Sequence, residues 1–360
     1  MTEPNHRAPR RASMREVADL AQVAISSVSR VLSGHPDVSA PMRARVLDAV
    51  ARLEYEPDFL AQSLRRGQTL SVGFVLADIS NPLIAEIVLG AEAVLRAAGY
   101  SLILMNSESR AALDAAHIRF FQSRRVDGLM LSLADEASPA TLEALGQGRQ
   151  PAVVVDRELP AALGVSAVVN DHGAGMRAAV SHLVSLGHRR IGLIGGPLGT
   201  LPARERLEAM KAVIAASDGV EGRYLSGPFS SEHGREATRQ LLRGAEPPTA
   251  IVAGGNQLLI GALEALQEAD LEVGRQISIV TCDDVPLSRL YRPPIASISR
   301  DTVGLGRTAA ELLLRRMGDD PGPPERVVLP TTFVARASCA PPPGAAPVEH
   351  ARTGPVEGRR

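Results

Sequence analysis

The sequence predicts a small all-α head followed by a large α/β body built on two doubly wound parallel sheets. Three observations carry this expectation. The chain has 360 residues, too many for one ordinary domain and well suited to a small unit joined to a large or bilobed one. Residues 13–53 show helical spacing throughout. From about residue 70, short apolar runs alternate with amphipathic stretches, the pattern of strand–helix–strand units with right-handed crossovers.

Composition narrows the class. Hydrophobic residues make up 45% of the chain, aromatics only 3%, and Trp is absent, so aliphatic side chains must fill the core. Of the basic residues only Lys211 is a lysine. Net charge is −1; residues 1–66 hold ten arginines against eight acids, leaving −3 for the rest. Charge alone therefore does not mark a nucleic-acid binder. Cys282 and Cys339 form neither a metal-ligand spacing nor a disulfide framework. The first twenty residues lack the apolar core of a signal peptide. No stretch approaches the ~18 apolar residues of a membrane span. A soluble, cytoplasmic protein is expected.

The head reads as three short helices. Ser13 is placed to cap a helix over 14–21 with Val17, Ala18 and Ala21 on one face. Gln22-Val23-Ala24 breaks it, and a second helix over 25–32 turns Val28, Val31 and Leu32 inward. Gly34 suits a left-handed cap. Ser39 is placed to cap a third helix carrying Val46, Ala49, Val50 and Leu53 at helical spacing. Three such helices with a tight first turn fit a helix-turn-helix.

In the body, strands are expected at 71–78, 101–107, 126–133, 151–157, 190–196, 249–255 and 277–284, and helices at 83–98, 111–124, 174–187, 203–216, 231–243 and 256–269. A ligand would sit in the cleft beyond the strand C-termini. Polar, Pro-containing residues 1–12 and the Pro/Gly-rich residues 341–360 are expected to be disordered. The expected organisation is an arm 1–12, a head 13–57, a hinge helix and linker 58–68, a body 69–340 and a tail 341–360.

Two motifs in the head carry chemistry. The second helix turns Ser26, Ser27, Ser29 and Arg30 away from its apolar face. A short amphipathic helix of this kind fits a DNA major groove, where an arginine reaches guanine O6 and N7 and serine hydroxyls reach phosphates or base edges. The same face on an ordinary helix would simply be solvated. Further on, Leu64 is followed directly by Arg65 and Arg66. A leucine flanked by arginines can wedge into a minor-groove step; the alternative is a linker with one buried leucine.

Together, the text MREVADLAQVAISSVSRVLSGHPDVSAPMRARVLDAVARLEYEPDFLAQSLRRGQT and the body opening VGFVLADISNPL resemble the lactose-repressor (LacI/GalR) family of bacterial regulators. The likeness runs from about Ser13 to Cys339. It implies base-reading positions at Ile25, Ser26 and Arg30, phosphate-side positions at Ala24, Ser27 and Ser29, and an intercalating leucine at Leu64. It also implies a bilobed, periplasmic-binding-protein-like body with ligand contacts at Asn81, Asp156, Arg157, Arg206, Phe229, Asp283 and Arg300. For Asp156–Arg157 and Arg206, structural ion pairing is the competing reading. Some positions depart from the family pattern. Gln22 stands for the usual turn glycine, Ala24 for the usual serine cap, and Asp58 for the usual asparagine. Leu83 and Ile84 stand where aromatics are common, which puts a standard hexose in doubt, and Gly255-Asn256 replaces Asn-Asp.

Other chemistries find no support. Gly195-Gly196-Pro197 and Gly254-Gly255 match no phosphate-loop pattern. No GxSxG nucleophile elbow occurs. His172, His182 and His188 sit in a helix and its exit rather than in a metal site, and His188 is read as favouring the helix dipole. No catalytic residue, metal or cofactor is expected. A solute-binding protein would need a signal peptide and would lack residues 13–66. The expected function is a sequence-specific DNA-binding transcriptional regulator, most simply a repressor. Its expected partners are near-palindromic double-stranded operator DNA, a second copy of itself, and a small-molecule effector such as a sugar or related metabolite. A regulator answering to a phosphorylated metabolite or a protein co-regulator is the alternative.

Overall fold

The computed structural model describes residues 12–32, 35–55 and 68–344. The chain divides into two compact units, Met1–Thr69 and Leu70–Arg360. Ser33, Gly34, Asp58 and Leu64, with the expectations attached to them, lie outside the described residues.

The first unit is helical. α1 (Met14–Ala21) opens with a reciprocal cap: the Ser13 hydroxyl accepts from the Glu16 amide while the Glu16 carboxylate accepts from the Ser13 amide at 2.7 Å. α1 ends at Gln22, whose φ of 52° puts a side-chain-bearing residue in the left-handed region. α2 (Ile25–Leu32) and α3 (Ala40–Arg52) follow. Ser39 occupies the cap position of α3 but makes no side-chain bond there. Val17, Ala18, Ala21, Val28, Val31, Val46, Ala49 and Tyr55 form the small core. Each helix supplies a narrow apolar stripe to it.

The second unit holds two six-stranded sheets. The strands are β1 (Ser71–Leu76), β2 (Ser101–Asn106), β3 (Gly128–Ser132), β4 (Ala152–Val155), β5 (Ser166–Asn170), β6 (Arg190–Gly195), β7 (Glu221–Ser226), β8 (Ala250–Ala253), β9 (Ser278–Thr281), β10 (Ala296–Arg300), β11 (Arg326–Leu329) and β12 (Thr331–Val334). The first sheet runs β2-β1-β3-β4-β5-β11 and is wholly parallel. The second runs β7-β6-β8-β9-β10-β12, with only β12 antiparallel. The helices are α4 (Pro82–Ala97), α5 (Ala111–Ser123), α6 (Pro139–Gln147), α7 (His172–Ser185), α8 (Leu201–Ala215), α9 (Ser231–Leu242), α10 (Asn256–Glu268), α11 (Pro286–Leu290) and α12 (Thr302–Arg316).

Helices cover both faces of each sheet, so central strands are buried on both sides. In lobe 1, Phe74 and Leu76 pack toward Leu305 and Leu313 of α12, while Val75 packs on the other face with Ile118 and Phe121 of α5. Lobe 2 repeats the plan with two further clusters. α4 and α12 approach so closely that a Cβ on Gly90 or Gly306 would collide with the carbonyl of Val303 or Ile87. The chain crosses between lobes three times: from β5 into α7, from β10 into α12, and from β11 into β12. In each lobe the order of the first five strands reverses beside the first strand, which opens a crevice at the strand C-termini. Among the described residues no helix is long and apolar enough to cross a membrane.

Candidate functional site

The lobes face each other across a cavity lined by side chains of both, at the strand C-termini where ligands of doubly wound sheets bind. All seven residues expected to contact an effector line it: Asn81, Asp156, Arg157, Arg206, Phe229, Asp283 and Arg300. Most are placed by a strand end or a helix start. Asn81 caps α4, its Oδ1 accepting from the Leu83 amide at 3.1 Å. Asp156 follows β4 with φ 53°, a left-handed conformation that aspartate tolerates better than most residues. Arg206 lies in α8, Asp283 follows β9, and Arg300 ends β10. The far end of the Phe229 ring packs against Gly196, where a Cβ would strike it.

Asp156 is the polar centre. Its Oδ1 accepts from the amide and side chain of Asn170, at 3.0 and 2.9 Å, and from His172 Nε2 at 3.1 Å; its Oδ2 pairs with Arg300. Arg300 reaches the other way to Asp283 Oδ1 at 3.0 Å. A single buried guanidinium thus bridges carboxylates of the two lobes. Burial by itself would raise the Asp156 carboxyl, but His172 and Arg300 hold it well below the usual carboxylate range. Burial opposes the charge of Arg300, and the two carboxylates override that and raise its pKa. Burial pushes His172 down to about 4, with the neighbouring Arg206 and Arg300 cations adding to the effect against the pull of Asp156.

Arg157 and Arg206 are held differently. Arg157 donates to the carbonyls of Leu133 and Asp156. Arg206 donates to the Gly254 carbonyl at 2.6 Å and meets His172 Nδ1 at 3.2 Å. Neither forms a carboxylate ion pair among the described residues. Three guanidinium groups (Arg157, Arg206, Arg300) and three carboxylates (Asp78, Asp156, Asp283) line the cavity, so its charges balance. Leu83, Ile84 and Ile87 form an aliphatic wall where an aromatic would offer a stacking face.

Several contacts at the site escaped sequence reasoning, which noted Asn256 only as a departure from the family pattern. Asn256 begins α10; its amide donates to Asp283 Oδ2 at 2.8 Å and its side chain to Asn81 at 2.9 Å. Gln257 reaches Asp78 at 3.0 Å. Both follow β8 just after Gly254-Gly255, a post-strand position that could have flagged them. Outside the cavity lining, Glu136 accepts from the first amide of α8 and pairs with Arg204 at 2.7 Å. His172 is a buried member of the polar network, hidden because β5 was not recognised before it. His188 corrects an expectation. It lies outside α7, bonds Thr249, Ser278 and the Ala340 carbonyl, and is pushed by burial to about 4, so it carries no charge to oppose a helix dipole.

In the head, α2 presents the face expected to meet DNA. Ile25 is 39% exposed although apolar. Ser26 and Arg30 are exposed as well, Ser27 and Ser29 are half-buried, and Val28 and Val31 are turned into the core. No group of His, Cys, Asp and Glu that could hold a metal occurs among the described residues.

The model of the bacterial regulatory proteins of the lacI family matches residues 13–58, and that of the periplasmic binding protein-like domain matches residues 180–339. The ribose operon repressor of Escherichia coli (strain K12) is 32% identical over 330 residues, spanning 91% of this chain and 99% of that protein. The HTH-type transcriptional repressor PurR of Haemophilus influenzae (strain PittEE) is 33% identical over 313 residues, spanning 85% and 91%. The lac repressor dimer bound to operator and the anti-inducer ONPF superposes with a TM-score of 0.80 at 28% identity, over 92% of this chain and 100% of that one. A regulator of Enterococcus faecium with bound ribose gives a TM-score of 0.66 at 28% identity, over 75% and 99%.

Proposed function

Because the chain belongs to the LacI family of bacterial regulatory proteins, we propose that it is a cytoplasmic, homodimeric repressor whose body cleft binds a small neutral polyol, most simply a pentose. The observation that carries the effector class is the charge balance of the cavity. A phosphorylated ligand calls for surplus cations, whereas a polyol calls for fixed donors beside fixed acceptors. Arg206 supplies donors, and Asp156 and Asp283 supply acceptors. The aliphatic wall and single aromatic ring, Phe229, suit a small sugar better than a hexose stacked between rings. The ribose operon repressor and the ribose-bound regulator among its relatives support the same class.

On DNA, α2 enters the major groove with Ile25, Ser26 and Arg30 toward base edges and Ser27 and Ser29 toward phosphates. Two copies read a near-palindrome. Leu64 of each hinge opens the central step, and the cost of bending is offset by added contacts. Effector binding favours one arrangement of the lobes and thereby releases the operator. Such coupling typically spans 5- to 150-fold in affinity.

The test is fluorescence anisotropy on an operator selected from random duplexes. D-ribose at saturation should weaken wild-type binding within that range. Arg30→Ala should lose about 1–3 kcal/mol of specific affinity while retaining salt-sensitive background binding. Operator binding that is indifferent to both D-ribose and Arg30→Ala would refute the proposal.

A further inference from the structure

We propose that His172 is a positioning residue that fixes the Arg206 guanidinium in the orientation the effector meets. Arg206 and Asp156 line the cavity; His172 stands behind them, 2% exposed. Its two ring nitrogens face partners with opposite requirements. An arginine only donates, so the 3.2 Å contact from Arg206 Nη2 demands a lone pair on Nδ1. An ionised carboxylate only accepts, so the 3.1 Å contact to Asp156 Oδ1 demands a proton on Nε2. A single neutral tautomer satisfies both.

The consequence for Arg206 is geometric. The Gly254 carbonyl holds Nη1 at 2.6 Å and His172 holds Nη2. Two anchors define the guanidinium plane, and the remaining N–H groups are left to a ligand. Asp156 belongs to lobe 1 and Arg206 to lobe 2, with His172 opening α7 where the chain crosses from β5 between them. The ring therefore ties the donor of one lobe to the acceptor of the other. The charged groups around it are Asp156, Arg206 and Arg300, and Glu205 accepts from its backbone amide. Ring protonation would leave Arg206 facing a second donor and bring a third cation to the cluster.

This inference rests on the reading of the cavity as the effector site, so its test has two parts. In the full-length protein with ¹⁵N-labelled histidine, the His172 ring signals, assigned by their loss in His172→Phe, should report the neutral Nε2–H tautomer at pH 7. An Nδ1–H or doubly protonated ring would overturn the proposal whatever the cavity binds. Second, calorimetric titration with D-ribose should show affinity about 10- to 100-fold weaker in His172→Phe, which keeps a ring and loses both bonds. His172→Asn, which keeps an acceptor near the Nδ1 position, should recover most of that loss. Equal affinity in wild type and His172→Phe would overturn the proposal. If the wild type does not bind D-ribose, the effector reading fails and the tautomer alone decides this one.

Discussion

The side-chain amide of Asn256, in the first turn of α10, donates to Oδ1 of Asn81, the cap of α4, at 2.9 Å. One hydrogen bond thus ties a helix start of lobe 2 to a helix start of lobe 1, beside the cavity mouth. Gln257 adds a second tie to Asp78, and Glu136 binds the start of α8. These contacts tie the lobes together, so ligand affinity includes the free energy of holding them closed.

Asn256→Ala removes the first clamp and leaves the Asn81 cap intact. One neutral hydrogen bond is worth about 0.5–1.5 kcal/mol, so D-ribose should bind roughly 2- to 12-fold more weakly. Calorimetric titration checks this; an unchanged dissociation constant would mean that closure does not depend on the contact.

Arg300→Met should be severely destabilising. The substitution keeps much of the aliphatic volume and strands Asp156 and Asp283, both buried, without their shared cation. Breaking a buried pair from one side costs about 3–5 kcal/mol. Urea unfolding should show the midpoint falling accordingly; a loss below 1 kcal/mol would mean that the two carboxylates find other partners.

Gln22→Gly should stabilise the head. The left-handed backbone at Gln22 costs a side-chain-bearing residue about 1–2 kcal/mol, partly offset by the greater freedom of glycine in the unfolded chain. A net gain of about 0.5–1 kcal/mol should appear as slower amide exchange in α1 and α2.

Acid should weaken the fold before most carboxylates titrate. His188 is neutral in the fold, with a pKa of about 4, against about 6.5 when unfolded. Its contribution is fully present above the unfolded pKa and is lost as pH falls from 6.5 toward 4. Stability measured between pH 7 and 5 should decline, and His188→Gln should flatten that slope. A slope identical in the variant would remove His188 from the account.

Much of this architecture is written in local pattern. β8 is a continuous aliphatic run, and β1 and β6 are largely apolar with glycines between, because helices cover both their faces, and each announces itself as a strand. β5, β7, β10, β11 and β12 do not. β7 is an edge strand, Glu-Gly-Arg-Tyr-Leu-Ser, half solvated. β11 and β12 are short returns whose places depend on crossings between lobes, which no window of sequence contains. The cleft residues were legible chiefly through the family resemblance; Asp156 and Asp283 also follow strands that the sequence marks, whereas Arg206 lies within α8 and Arg300 ends the unmarked β10. What stayed hidden was pairing. Asp156 and Arg157 are adjacent in sequence, yet the carboxylate pairs with Arg300, and Arg157 turns to backbone carbonyls. Backbone direction, set by the left-handed turn at Asp156, decides that choice.

The proposed cleft binds a neutral polyol through Arg206 and Asp283. Its most direct test is the melting temperature of the purified protein against pentoses, hexoses, sugar phosphates and nucleosides. A pentose at ~100 times its dissociation constant should add ~2.7 kcal/mol, a shift of a few degrees, and the shift should vanish in Arg206→Ala and Asp283→Ala. A shift produced only by phosphorylated sugars or nucleosides, or one that persists in both variants, would contradict it.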